Sequence, residues 1–210
     1  MADTSRRTSR LPIRPIVATV GVVVVSAVTI VGGQMLARQA PAVQAAPADT
    51  FASPPGCAVI SAELVESVAP AATPRPSQPG PLHEGGGNTC VWSSVGTGEA
   101  PPRSLRASFR VHFTDKSGET SGARAATNRL RAVTPAEWGS GVASVPQVGE
   151  DALVWPGAGG EGAAELAFRR DNLVVRLWFG GAADSGGAAL SYGQARDSVV
   201  GVARQLAEAL

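Results

Sequence analysis

A run of 23 residues without a charge, Pro15 to Ala37 (PIVATVGVVVVSAVTIVGGQMLA), decides what the rest of the chain is free to become. About 20 residues of helix cross the roughly 30 Å hydrocarbon core of a bilayer, so this run is long enough to span one. Arg6, Arg7, Arg10 and Arg14 precede it against one acid, Asp3, and that excess of positive charge holds the flank in the cytoplasm. Residues 1–14 are expected to form a basic cytoplasmic tail and 15–37 a signal anchor. All that follows is then extracytoplasmic, held at the cell membrane by a single pass. The rival reading is a cleaved signal peptide. Secretory apolar regions are typically about 7–15 residues, and the greater length here favours the anchor. Val43-Gln44-Ala45 ahead of Ala46-Pro47 has the small residues of a cleavage site, and cleavage near Ala45 would release a secreted protein. Pro54-Pro55-Gly56 ahead of Cys57 lacks the residues of a lipoprotein processing site, and Arg6-Arg7 stands in a poor twin-arginine context.

Beyond the span about 160 residues remain, enough for one domain with a real core and too few for two. Removing the five arginines up to Arg38 and the acid Asp3 from the chain's 18 basic and 17 acidic side chains leaves 13 against 16, a net charge of −3. Nothing in that balance suits nucleic acid. Residues 38–56, rich in Ala and Pro, are expected to be an extended tether, and 57–210 the folded domain. Cys57 and Cys90 are the only cysteines. In an oxidising compartment two cysteines pair more often than they stay free. A metal site would need further ligands, and His83 and His112 have no ligand spacing; a catalytic thiol would have to stay reduced outside the cell.

Ile60, Leu64, Val65 and Val68 follow helical spacing up to Pro70. Residues 70–88, dense in Pro and Gly, read as a loop. Thr89 to Ser94 is a strand with Cys90 and Trp92 on one face, which the bridge to Cys57 would place under the first helix. The clearest pattern in the chain is Arg103 to Thr114. There Leu105, Ala107, Phe109, Val111 and Phe113 alternate with Arg106, Ser108, Arg110, His112 and Thr114, a half-buried strand. Ser121 to Val133 reads as a helix with Ala123, Ala126, Leu130 and Val133 on its apolar side. Three strands follow at about 152–156, 163–169 and 172–179, the last two close enough for a hairpin. From about Ala188 the chain turns helical, with Val199, Val202, Ala203, Leu206 and Leu210 on one stripe. Strands clustered in this way predict an α+β domain: a mostly antiparallel sheet of about five strands with helices packed on one face, preceded by the transmembrane helix.

Pro-preceded Cys57 with Leu64 behind it, Cys90-Val91-Trp92, Val145-Pro146-Gln147-Val148-Gly149-Glu150-Asp151-Ala152 and the Ala-rich terminal helix carry a resemblance. Over residues 55–210 the chain resembles a family of actinobacterial extracytoplasmic domains of unknown function, found in secreted lipoproteins and membrane-anchored cell-envelope proteins. The missing lipoprotein signal departs from many members. The resemblance implies a place in the cell envelope and assigns no catalytic residue.

Signals of chemistry are few. No serine stands in a Gly-x-Ser-x-Gly elbow. Glu150-Asp151 are adjacent on a strand and so expected on opposite faces. Gly157 to Gly162 lacks the Lys of a phosphate-binding loop, precedes a strand, and reads as a hairpin loop. No catalytic, cofactor or metal residue is assigned. What stands out is the polar face of the sheet, where strand parity gathers Arg106, Arg110, His112, Arg169, Arg176 and Trp178. The ordinary account is a solvated face whose arginines pair with acids such as Glu165. The functional account is a recognition surface for an anionic envelope component or envelope protein, with Trp178 as apolar anchor. Whether that face is open or covered by residues 70–88 decides between them. The reading is therefore a non-enzymatic, membrane-tethered binding domain of the cell envelope. Its alternatives are an extracytoplasmic hydrolase, which would need a cleft holding His83 or His112 beside a carboxylate or hydroxyl, and a sensor-like ligand-binding domain.

Overall fold

The strand pattern around Phe109 finds its complement on both sides. In a computed structural model, which describes residues 44–75, 80–82, 85–96, 101–135, 141–158, 162–181 and 190–210, it lies within an antiparallel sheet of Val43–Leu210, one compact unit. The basic tail over 1–14 and the span predicted over 15–37 lie outside the described residues, as does His83. Among the described residues no helix is long and apolar enough to cross a membrane.

A single 3-10 turn, Cys57–Val59, leads into α1 (Ala62–Val68). The strands β1 (Thr73–Arg75), β2 (Gly80–Leu82), β3 (Gly85–Ser93) and β4 (Ser104–His112) come next, then α2 (Gly122–Val133). After it stand β5 (Ala143–Ser144), β6 (Glu150–Pro156), β7 (Ala163–Arg170), β8 (Leu173–Gly180) and the terminal α3 (Tyr192–Ala209). The sheet runs β1-β3-β4-β8-β7-β6-β5, with β2 also paired to β3. Among the described residues it has eight strands where about five were expected. The three additional ones are only two or three residues long, too short to show an alternation; β1 and β2 carry prolines on an edge where no ladder donor is needed.

Each helix begins on a serine. Ser61, Ser121 and Ser191 accept from the backbone N–H three residues on, and Gln194 completes a capping box. α1 and α3 cover one face. Leu64 and Val65 join Cys90 and Trp92, and Val199, Val202, Ala203 and Leu206 join Leu166, Phe168, Val175 and Leu177 in the main core. Cys57 and Cys90 form the predicted disulfide, with Cα atoms 5.6 Å apart.

α2 corrects the expectation that all helices share a face. Ala126 and Leu130 pack with Trp155, Ala167 and Val174, whose parity is opposite to that of Leu166 and Val175. The sequence carries the cause. Leu173-Val174-Val175 is apolar on both sides, β7 is buried on both faces as far as Phe168, and a strand so built needs a cover on each. The helix is small-sided, which lets it lie close over this part of the sheet and leaves the rest of the face uncovered.

The tether expected over 38–56 is docked from its first described residues. Asp49 accepts from the Ala46 N–H (2.9 Å), the Thr114 N–H (3.0 Å) and the Thr114 hydroxyl (2.8 Å). Asn172, buried in the β7–β8 turn, clasps Phe51 through both its amide atoms and also donates to the His112 carbonyl.

Candidate groove on the arginine face

Antiparallel pairing fixes the neighbours on the face that α2 only partly covers. Arg106 stands opposite Trp178, Ser108 opposite Arg176 and Arg110 opposite Val174; on the far side of β8, Glu165 stands opposite Trp178 and Ala167 opposite Arg176. Arg176 is thus the diagonal neighbour of both Arg106 and Arg110, a Cβ separation of about 7–8 Å. α2 borders this grid and adds Arg129 and Val133, and the loop after β6 adds Ala158. Between them lies a groove of about 540 Å³ whose walls also include Val91 and Ser104. That volume is within the range of small-molecule sites.

The charge in the groove is unbalanced. Glu165 is buried and would be costly there without a partner. Arg176 supplies one, its Nε donating at 2.9 Å and its second contact coming from Nη2. That pair spends the one carboxylate that lines the groove among the described residues. Among the described residues no carboxylate pairs with Arg106, Arg110 or Arg129. Desolvation by the groove wall, and then the charges of Arg129 and Arg176, hold the Arg110 guanidinium below its ordinary value.

Trp178 is half-buried. Its Nε1 donates to the Ala158 carbonyl at 3.1 Å. A Cβ at Gly180 would lie 2.8 Å from the ring and one at Gly157 would lie 3.1 Å from Nε1, so the close approach of the indole calls for glycine at 180 and leaves little room at 157. The partial cover comes from the β6–β7 loop, and no described residue of the segment 70–88 lines the groove.

Of the six residues expected together, Arg106, Arg110, Arg176 and Trp178 line the groove. His112 shares their face but lies beyond it, at the end of β4, its backbone joined to Asn172. Arg169 also lies beyond it, held by Glu150 and within 4.0 Å of Asp151. The two acids were expected on opposite faces. A register shift between Glu150 and Leu153, with Asp151 at φ 53°, turns both toward Arg169. Sequence parity missed Arg129, because its inclusion depends on where α2 packs; the apolar Val174 amid outward polar residues was the available signal. Both cysteines are in the disulfide, so neither offers a thiol. Among the described residues no group of three or more His, Cys, Asp or Glu side chains is placed to hold a metal ion. No family model matches the chain, and neither does any curated protein or solved structure.

Proposed function

We propose that this protein is a membrane-tethered extracytoplasmic domain of the cell envelope that binds an anionic ligand in the β4–β8–α2 groove without transforming it. The observation that carries the reading is the convergence of Arg106, Arg110 and Arg129 on one concavity with no carboxylate partner among the described residues. Exposed arginines on a sheet ordinarily find acids on neighbouring strands. Among the described residues Arg176 does, whereas Arg106 and Arg110 beside it on the sheet and Arg129 on α2 do not, and a ligand carboxylate or phosphate would complete them by paired, charge-assisted hydrogen bonds. The basic flank of the 15–37 run and the resemblance to actinobacterial envelope domains support the placement at the membrane.

The test uses the full-length protein in nanodiscs, incubated with detergent-solubilised envelope material. An anionic component should be retained at low salt and released as ionic strength rises, and the double substitution Arg110→Ala and Arg129→Ala should abolish retention. Equal retention by the double variant, or chemical conversion of the retained material by the active protein but not by heat-inactivated protein, would overturn the reading.

A further inference from the structure

The two ends of the groove differ, and the difference specifies a class of ligand. At one end Arg110, Arg129 and Arg176 gather around Val174; at the other the Trp178 ring, its N–H already satisfied by Ala158, stands opposite the single guanidinium of Arg106, with Val91 beyond it on β3. Resting on the anion-binding reading above, we propose that the groove binds a phosphomonoester on an apolar body, with the phosphate held by Arg110, Arg129 and Arg176 and the body laid toward Trp178. Charge selects the head group. Three guanidiniums against Glu165 leave two positive charges at that end. A phosphomonoester near neutral pH carries about −1.5 to −2 and three acceptor oxygens, whereas a carboxylate supplies one charge and two oxygens. The spread of donors fits as well, since Arg110 and Arg176 come from adjacent strands and Arg129 from a helix beside them, surrounding a tetrahedral group rather than facing a planar one.

Length selects the body. Arg110 and the position opposite Trp178 are four residues apart on β4, about 13 Å at roughly 3.3 Å per residue. Arginine side chains reach inward from one end, so a body of about two fused rings or a short acyl segment spans what is left. Such a phosphomonoester could be a soluble aromatic ester or the head of a lipid, and the chemistry at the arginines is the same.

Full-length protein in phosphatidylcholine nanodiscs should be titrated with 1-naphthyl phosphate, 1-naphthoate and inorganic phosphate, and separately mixed with vesicles containing phosphatidic acid or phosphatidylglycerol. Naphthyl phosphate is expected to bind at least about tenfold more tightly than either naphthoate or inorganic phosphate, a gap of roughly one charge-assisted contact. Its affinity should rise through about pH 6 as the second phosphate proton leaves. Arg110→Gln or Arg129→Gln should weaken it about 10- to 100-fold. Trp178→Phe should keep more of the preference for naphthyl phosphate over inorganic phosphate than Trp178→Leu does, with inorganic phosphate binding unchanged in both. Binding of phosphatidic acid vesicles but not phosphatidylglycerol vesicles identifies a lipid source, and naphthyl phosphate binding alone identifies a soluble one; each upholds the proposal. Naphthoate binding as tightly as naphthyl phosphate would overturn the phosphate assignment and leave the anion-binding reading standing. No binding in any arm would also overturn the assignment, and the envelope-retention experiment then decides the broader reading separately.

Discussion

Replacing Asp49 by Asn keeps the shape of a side chain on which three parts of the molecule meet. The Asp49 carboxylate accepts two hydrogen bonds from Thr114, two residues past the end of β4, and one from Ala46 in the docked segment. The Thr114 hydroxyl in turn accepts from the Gly122 N–H at 3.0 Å. A Cβ at Gly122 would stand 2.4 Å from Asp49 Oδ1, so the carboxylate sits against the first turn of α2, where a negative charge is favoured. A hydrogen bond to a charged group contributes about 1.5–3 kcal/mol and the helix terminus about 0.3–1 kcal/mol. The bonds share one acceptor, and the site is partly open to water, so the sum must be discounted to about 2 kcal/mol for Asp49→Asn. Burial works to raise the Asp49 carboxyl, but the hydrogen bonds from Thr114 and Ala46, with the Gly122 N–H close by, outweigh it and hold the group below the ordinary carboxylate value. Linkage sets the sign. A carboxyl depressed in the folded state contributes stability above its unfolded value, about 3.9, and that stability is lost as pH falls through the folded value. Urea unfolding of both proteins at pH 7 and between about pH 4 and 2 should therefore show the gap present at neutral pH and closing in acid. An Asp49→Asn protein as stable as the parent at pH 7, or a gap that persists unchanged at pH 2, would refute the reasoning.

Two further outcomes bear on the disulfide and the anchor. The native protein should show no titratable thiol, and Cys57→Ser should cost about 2–5 kcal/mol, because the bridge closes a loop with a sequence separation of 33; thiols accessible without reductant would contradict this. Protease applied to intact cells should reach sites beyond about residue 40 while the protein stays in the membrane fraction, and a mature chain beginning at Ala46 in the medium would replace the anchor with a cleaved signal.

The long elements were legible because their patterns are long. Nine residues of alternation over Ser104–His112 admit one register with Phe109 inside, since a slip by one residue would expose the whole apolar set. Short elements carry no such information: Thr73–Arg75 is exposed throughout and pairs because β3 offers it an edge. The docking of residues 44–56 was hidden for a different reason. Ala- and Pro-rich composition predicts a chain without its own core, but Asp49 and Phe51 dock on partners 65 and 121 residues away, and composition does not encode a distant hydrogen bond. The arginine face was half legible. Parity placed Arg106, Arg110, Arg176 and Trp178 together; it also included Arg169 and His112, which share the parity but stand at the ends of their strands. The groove became a groove only through α2, and a helix's choice of face depends on which strands are apolar twice over.

Whether the arginines of the groove lack partners in the free protein is the central question. The direct measurement is the melting temperature of Arg110→Ala against the parent at low ionic strength, with and without 1-naphthyl phosphate. Arg110 faces Arg129 and Arg176 and no carboxylate among the described residues, so its removal relieves repulsion. For a domain of this size 1 kcal/mol corresponds to roughly 2–4 °C. The free variant is expected to melt at the parent's temperature or about a degree or two above it, and the ligand-induced rise seen in the parent should disappear. A free variant melting several degrees lower, with the ligand response intact, would show Arg110 to be a structural residue and would contradict the binding reading.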